Sequence, residues 1–280
     1  MKTKHWTDYY HDIIKGGLLL TSVLLVACMV LMIVLLTGGK FPAPTTTPST
    51  DTQAETSAPH IPSGSTNYDH VILPETPDAG IAYQDKIIFV GDSLTAHLVA
   101  REVLTGGKLT EQVWRTENNM LNLNSEVTSA KIVYPATKEK MTIAEAAALA
   151  KPEIMIITLG TDWGVTYLNE TDFKACYTAL VKDIQKASPD TTVILQSIFP
   201  VTTYCANLTN EKIDICNTWV KAIADACGCP YLDTQSVLKG DDGALPAKYN
   251  VGFNNDGIHM TKEAYEVILN YIRTHAYTAG

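Results

Sequence analysis

From Lys86 onward, short runs of consecutive apolar residues alternate with longer stretches whose apolar positions recur every three or four residues. "KIIFV" (86–90), "KIVY" (131–134), "EIMIITL" (153–159), "TVILQSI" (192–198) and "PYLD" (230–233) are mostly apolar and lie close to turn residues. That is the pattern of strands buried on both faces. "EQVW" (111–114) is a weaker sixth strand. Helical spacing covers 94–104, 142–150, 172–187, 211–227 and 262–275. Thr142 followed by Glu145 fits a capping box, and Thr261 can cap the last helix while Met260 and Tyr265 form a hydrophobic staple. Strands without a polar face, separated by helices, must be covered on both sides. The expected fold class is therefore α/β, a three-layer α/β/α domain with a mostly parallel sheet. In such sheets ligands bind just beyond the carboxyl ends of the strands.

Upstream the pattern changes. No residue between Gly16 and Gly39 is charged, and Leu18 to Leu36 is long enough to cross a hydrocarbon layer of about 30 Å. Lys2, Lys4 and Lys15 precede this run, so the positive-inside bias directs the N-terminus to the cytoplasm. The expected organisation is a cytoplasmic tail (1–15), a transmembrane segment (16–39), a Pro/Thr/Ser-rich linker (40–77) and a folded domain (78–280) outside the cell. "LVAC" (25–28) resembles a bacterial lipobox, which would make Cys28 a lipid anchor. The apolar run continues well past Cys28, which favours the uncleaved single-pass anchor. Both alternatives tether the domain to the outer face of the cell membrane.

Composition adds two exclusions. The formal net charge is −9 and no Lys/Arg cluster occurs, so nucleic acid is not an expected partner. Beyond Cys28 the chain carries Cys176, Cys205, Cys216, Cys227 and Cys229, an odd number that cannot all pair within one chain. Buried thiols or one disulfide, such as Cys205 with Cys216, are the expectation. Cys227-Gly228-Cys229 is a single C-x-C without a second ligand pair, so no metal and no other cofactor is expected. Asn169-Glu170-Thr171 and Asn207-Leu208-Thr209 match the glycosylation triplet, a pattern that arises easily by chance.

Candidate chemistry follows the strands. After the first comes Gly91-Asp92-Ser93-Leu94-Thr95, a turn into a helix whose backbone N–H groups favour negative charge. Taken alone, Ser93 there reads as a helix cap. Near the C-terminus "NNDGIHMTKEAY" sets Asp256 three residues before His259, a spacing that lets the carboxylate orient the imidazole. His97 is a competing base one turn after Ser93, without an obvious carboxylate partner. Gln196 and Ser197, at the end of another strand, and Tyr204, in the loop that continues it, are candidates for a substrate cleft, or only for a strand end with a proline turn.

With "GDSL" around Ser93, the D-x-x-H block of Asp256 and His259, and "ITLGTD" after a central strand, the chain resembles the SGNH/GDSL hydrolase superfamily over its whole domain. The resemblance implies a flavodoxin-like α/β/α fold, hydrolysis of esters and no metal. It assigns Ser93 as nucleophile, His259 as base and Asp256 as its orienting partner, with Gly160, Thr161 and Asp162 at the oxyanion and substrate position. Two departures stand out. The family has Asn where this chain has Asp162, and an ionised carboxylate there would repel the charge it should stabilise. The family also uses a glycine N–H after the second strand, yet no glycine occurs between Lys108 and Leu159. "TENNM" (116–120) is the stretch where a substitute donor is expected.

The resulting expectation is a membrane-tethered extracellular serine esterase acting on short, acetyl-like O-acyl esters, with O-acylated cell-wall or surface glycan as the partner. The alternative is an SGNH-fold protein that binds surface glycan with little or no turnover, a reading that Asp162 favours and the intact Ser93, Asp256 and His259 oppose.

Overall fold

The computed structural model describes residues 67–161, 163–251 and 256–278. The expected tail, membrane segment and most of the linker lie outside the described residues, as does Asp162. Among the described residues no helix is long and apolar enough to cross a membrane.

Seven strands form one sheet: β1 (Ile87–Gly91), β2 (Val113–Thr116), β3 (Lys131–Val133), β4 (Lys140–Thr142), β5 (Ile154–Thr158), β6 (Thr192–Gln196) and β7 (Tyr231–Leu232). Their order is β4-β3-β2-β1-β5-β6-β7. β2, β1, β5, β6 and β7 run parallel, and β3 and β4 extend the sheet antiparallel beyond β2. The parallel part follows the flavodoxin-like order, with its switch point where the chain leaves β1.

The helices are α1 (Gly80–Gln84), α2 (Ser93–Ala100), α3 (Ile143–Ala150), α4 (Gly164–Tyr167), α5 (Glu170–Ala187), α6 (Asn210–Cys227), α7 (Thr234–Leu238) and α8 (Lys262–Thr274). Strand residues alternate between two cores, as the period of two requires. Phe89, Val113, Ile156 and Ile194 pack with Leu94 and Leu98 of α2 and Tyr265 and Ile268 of α8. Val90, Trp114, Ile157 and Leu195 pack on the other face with Ala146 of α3, Phe173 and Tyr177 of α5, and Val220 of α6. Ser93 and the last helix thus belong to one face of the sheet.

The Thr142/Glu145 capping box and the Thr261 cap are both formed. Two expectations change. The linker does not run to 77: Ile72 bridges Tyr231, and the Thr76 N–H donates to the Thr274 carbonyl at 2.6 Å. No Cys205–Cys216 disulfide forms, because Cys176, Cys205, Cys216, Cys227 and Cys229 are all free thiols. Burial pushes the Cys216 and Cys229 thiols up to about 11 and about 12.

Candidate active site

β1 ends at Gly91, where a Cβ would stand 2.1 Å from the Thr158 carbonyl oxygen of β5. Only glycine allows the two strands to lie this close. The next residue, Asp92, is 1% exposed and caps α2, its Oδ1 accepting from the Leu94 N–H at 3.1 Å. The cap is therefore Asp92, and Ser93 is the first helical residue. The other oxygen, Asp92 Oδ2, accepts from the Thr161 N–H at 3.1 Å, tying this turn to the loop after β5.

The D-x-x-H block meets the serine from the far end of the chain. Ser93 Oγ lies 3.2 Å from His259 Nε2, and His259 Nδ1 lies 2.5 Å from Asp256 Oδ2. Burial alone would raise the Asp256 carboxyl. It is outweighed by hydrogen bonds from the His259 ring, the backbone N–H groups of Ile258 and His259, and the Asn250 amide, which hold it down to about 2. An ionised Asp256 can only accept, so Nδ1 carries the proton and Nε2 is left to accept from the serine hydroxyl.

Several contacts fix the loop bearing this pair. The Asn250 amide donates to Asp256 Oδ1 at 3.2 Å and to the His259 carbonyl at 2.8 Å, while Asn250 Oδ1 accepts from the Tyr204 hydroxyl at 3.0 Å. Gly257 has φ +81°, and a Cβ there would meet Thr202 Oγ1 at 2.6 Å and Cys205 Cα at 2.8 Å. Arg101 Nε donates to the Met260 carbonyl at 3.0 Å, and the Tyr265 hydroxyl donates to the Leu94 carbonyl at 2.7 Å. Those two bonds lock α2 to α8, whose first turns carry Ser93 and follow His259.

The other candidates separate clearly. The His97 ring packs against His259 in a tilted arrangement with centroids 4.6 Å apart, and its buried Nδ1 has no hydrogen-bond partner among the described residues. Burial, then the neighbouring His259 and Arg101 charges, lower its pKa to about 4, so it is neutral at neutral pH. Gln196 and Ser197 are not cleft residues. Both are buried and hydrogen-bond to Thr234, and Gln196 also accepts from Thr158. Tyr204 is exposed and serves the site through Asn250.

Gly160 and Thr161 follow β5, next to the Gly91 turn, since Gly91 pairs with Thr158. Gly160 adopts φ +132°, and the Thr161 N–H is engaged by Asp92. In the 116–120 turn, the left-handed position is taken by Asn119 at φ +61°. The Asn119 N–H donates to the Thr116 carbonyl and the Met120 N–H to Asn118 Oδ1 and Thr116 Oγ1, so these amides are used within the turn.

Sequence reasoning missed the roles of Asp92 and Asn250. Asp92 was visible as the residue before an N-terminal helical serine, but its bond to Thr161 depends on two strands meeting. No local pattern marks Asn250. Among the described residues no group of three or more His, Cys, Asp or Glu side chains could hold a metal ion.

A serine, a histidine and an aspartate in one hydrogen-bonded line, set at the carboxyl ends of a parallel sheet, is the arrangement of serine hydrolases. The sequence profile of the GDSL-like lipase/acylhydrolase family matches residues 89–267, and the chain belongs to that family; it is an ester hydrolase of the GDSL/SGNH type. No curated protein matches the sequence. Among solved structures it is similar to a GDSL-like lipase from Bacteroides thetaiotaomicron, at 18% identity and a TM-score of 0.43, over 68% of this chain and 87% of that one. It is also similar to the periplasmic domain of a lipopolysaccharide acetyltransferase from Salmonella ser. Paratyphi A, at 16% identity and a TM-score of 0.45, over 67% and 82% of the two chains. A third similarity is to an active site mutant of a family two carbohydrate esterase from Clostridium thermocellum, at 14% identity and a TM-score of 0.45, over 67% and 61%.

Proposed function

We propose that this hydrolase is a membrane-anchored, outward-facing serine esterase that removes short O-acyl groups from cell-wall or surface glycans. The observation that carries the catalytic assignment is the line Ser93 Oγ, His259 Nε2 at 3.2 Å, and Asp256 Oδ2 at 2.5 Å from Nδ1. Ser93 Oγ attacks the ester carbonyl carbon while its proton passes to His259 Nε2. The tetrahedral oxyanion develops at the start of α2, where the aligned peptide dipoles favour negative charge. When it collapses, the alkoxide leaves with the proton from His259, and a water then repeats the sequence to release the acid and free the serine. Asp256 stays ionised and stabilises the imidazolium. Gly160 and Thr161, by their place after β5, flank the carbonyl.

The anchor rests on the uncharged 16–39 run and the lysines before it. The glycan substrate rests on that location, since a domain held by a polar linker on the outer face meets esters fixed to the surface.

Assays of the full chain on p-nitrophenyl acetate and on O-acetylated glycan test this reading. Ser93→Ala and His259→Ala should each lower kcat at least about 1000-fold, and the double variant should cost little more, because the residues act as a unit. Hydrolysis that survives Ser93→Ala overturns the mechanism. A wild type that binds acetylated glycan without cleaving any ester returns the alternative of a glycan-binding protein. For the anchor, mass spectrometry of the membrane-bound fragment decides: an intact Met1 segment supports the helix, and a diacylglyceryl group on Cys28 replaces it with a lipoprotein.

A further inference from the structure

β2 pairs with β1 at Phe89 with Val113 and Val90 with Trp114, and Arg115 and Thr116 are the next two residues of β2 beyond those pairs. Val113 belongs to the core on the α2 side of the sheet, and Arg115, two residues on, projects to the same side. There it enters a cleft of about 370 Å³ between α2 and the β2–β3 edge of the sheet. Val99, Val113 and Val133 line it with apolar surface, and Lys108, Arg115 and Lys138 line it with cations.

The charges do not cancel locally. Lys108 is shared with Glu102 at 3.3 Å, and the cleft's Glu117 is taken by Lys140 at 2.7 Å. Arg115, half-buried, and Lys138 have no side-chain partner among the described residues. A partly desolvated guanidinium without a carboxylate is costly unless an anion comes to it, and its planar fork suits the paired oxygens of a carboxylate or phosphate. The concentration of positive charge is the more telling in a chain of net charge −9.

The cleft also borders the elements next to the chemistry. Its Arg115 and Thr116 border continues β2, the strand paired with β1 up to Val90–Trp114, and β1 leads into Ser93. Its Val99 wall is six residues along α2 from Ser93, roughly 9 Å by helical rise. An ester whose carbonyl sits at Ser93 could therefore extend its alcohol part past the end of β2 towards the cleft.

We propose that this cleft binds an anionic group, a carboxylate or a phosphate, on the alcohol portion of the substrate, and that the preferred substrates are acylated anionic polymers rather than neutral ones. The inference rests on the esterase reading for its connection to turnover, but binding in the cleft stands by itself.

The test compares three acetyl esters on the full chain: neutral p-nitrophenyl acetate, 4-acetoxybenzoate and 4-acetoxyphenyl phosphate. The wild type should favour at least one anionic ester, and which one distinguishes carboxylate from phosphate. In Arg115→Gln the ratio of kcat/KM for that ester over the neutral one should fall at least about tenfold, through KM, and high salt should reduce the wild-type ratio in the same direction. Lys138→Gln, on the exposed rim, should lower the ratio less and guards against a folding defect in the first variant. An unchanged ratio in both variants overturns the proposal. If no ester is hydrolysed at all, the esterase reading fails, and titration of wild type and Arg115→Gln with benzoate and inorganic phosphate by NMR still decides the cleft: saturable shifts lost in the variant support it, and equal shifts in both overturn it.

Discussion

His97 and His259 lie ring against ring, with centroids 4.6 Å apart and planes tilted by 34°, and of the two only His259 has contacts to both the serine and a carboxylate. The contrast reverses what helical spacing offers, since His97 shares a helix face with Ser93. Position on the chain makes a neighbour, but a base also needs a partner that holds its tautomer.

The half-buried His97 predicts a pH dependence. Its folded pKa of about 4 lies below the ordinary value of 6.5, so below 6.5 the unfolded chain takes up the proton first. Stability should fall as pH drops from 6.5 towards 4 and this contribution should level off below that. Melting curves should show His97→Phe losing less stability than wild type over that window. Its kcat should stay within roughly tenfold of wild type, against the far larger loss in His259→Ala. A collapse of activity in a well-folded His97→Phe would reassign the base.

Asp256 predicts a loss in the same direction over a more acid window. Held at about 2 against an ordinary 3.8, its carboxylate contributes stability that is fully present above 3.8 and is lost as pH falls through about 2. The melting-temperature gap between wild type and Asp256→Asn should be widest above about pH 4 and close towards pH 2. At neutral pH Asp256→Asn should lower kcat by about 1000-fold or more, because Nδ1 loses the acceptor that fixes its tautomer.

Asn250 should prove a positioning residue. Asn250→Ala strips partners from the Asp256 carboxylate, the His259 carbonyl and the Tyr204 hydroxyl, at about 1–3 kcal/mol for each buried group left unsatisfied. Denaturant titration should show the stability loss, and kinetics should show a lower kcat with KM little changed. Tyr204→Phe removes one exposed hydroxyl and should be mild on both readouts.

Two glycines with left-handed backbone make a controlled pair. Gly228→Ala meets nothing within 4 Å and should cost only the conformational penalty, about 1–2 kcal/mol. Gly257→Ala carries the same penalty and drives a Cβ to within 2.8 Å of the Cys205 backbone, so unfolding should show at least about 2 kcal/mol more, with activity falling in the residual folded fraction.

The long strands and helices were legible because each buries a full face and so repeats its apolar residues with the period of its geometry. β4 was not, because three residues ending in the Thr142 cap are too short for any period. Ser93, Asp256 and His259 could be paired from sequence because each sits in a block with its own local logic. The cap at Asp92 and the bridge at Asn250 could not, since what defines them is a partner 69 residues away in the first case and the Tyr204 hydroxyl 46 residues away in the second. The cation cleft escaped notice for a similar reason. Lys108, Arg115 and Lys138 form no run in the chain and become neighbours only when the β2–β3 edge folds back against α2.

Asp92 also has a meaning for how this protein can change over time. With one oxygen it starts the helix and with the other it holds the loop after β5, so the scaffolding task falls on the aspartate and the reactive hydroxyl sits one residue on. Structure and reactivity are thereby assigned to adjacent codons. A lineage that altered Ser93 would keep the turn and its link to Thr161, leaving an intact vessel for a new nucleophile or for binding alone, whereas one that altered Asp92 would loosen both loops at once and lose the old activity without a frame on which to build another.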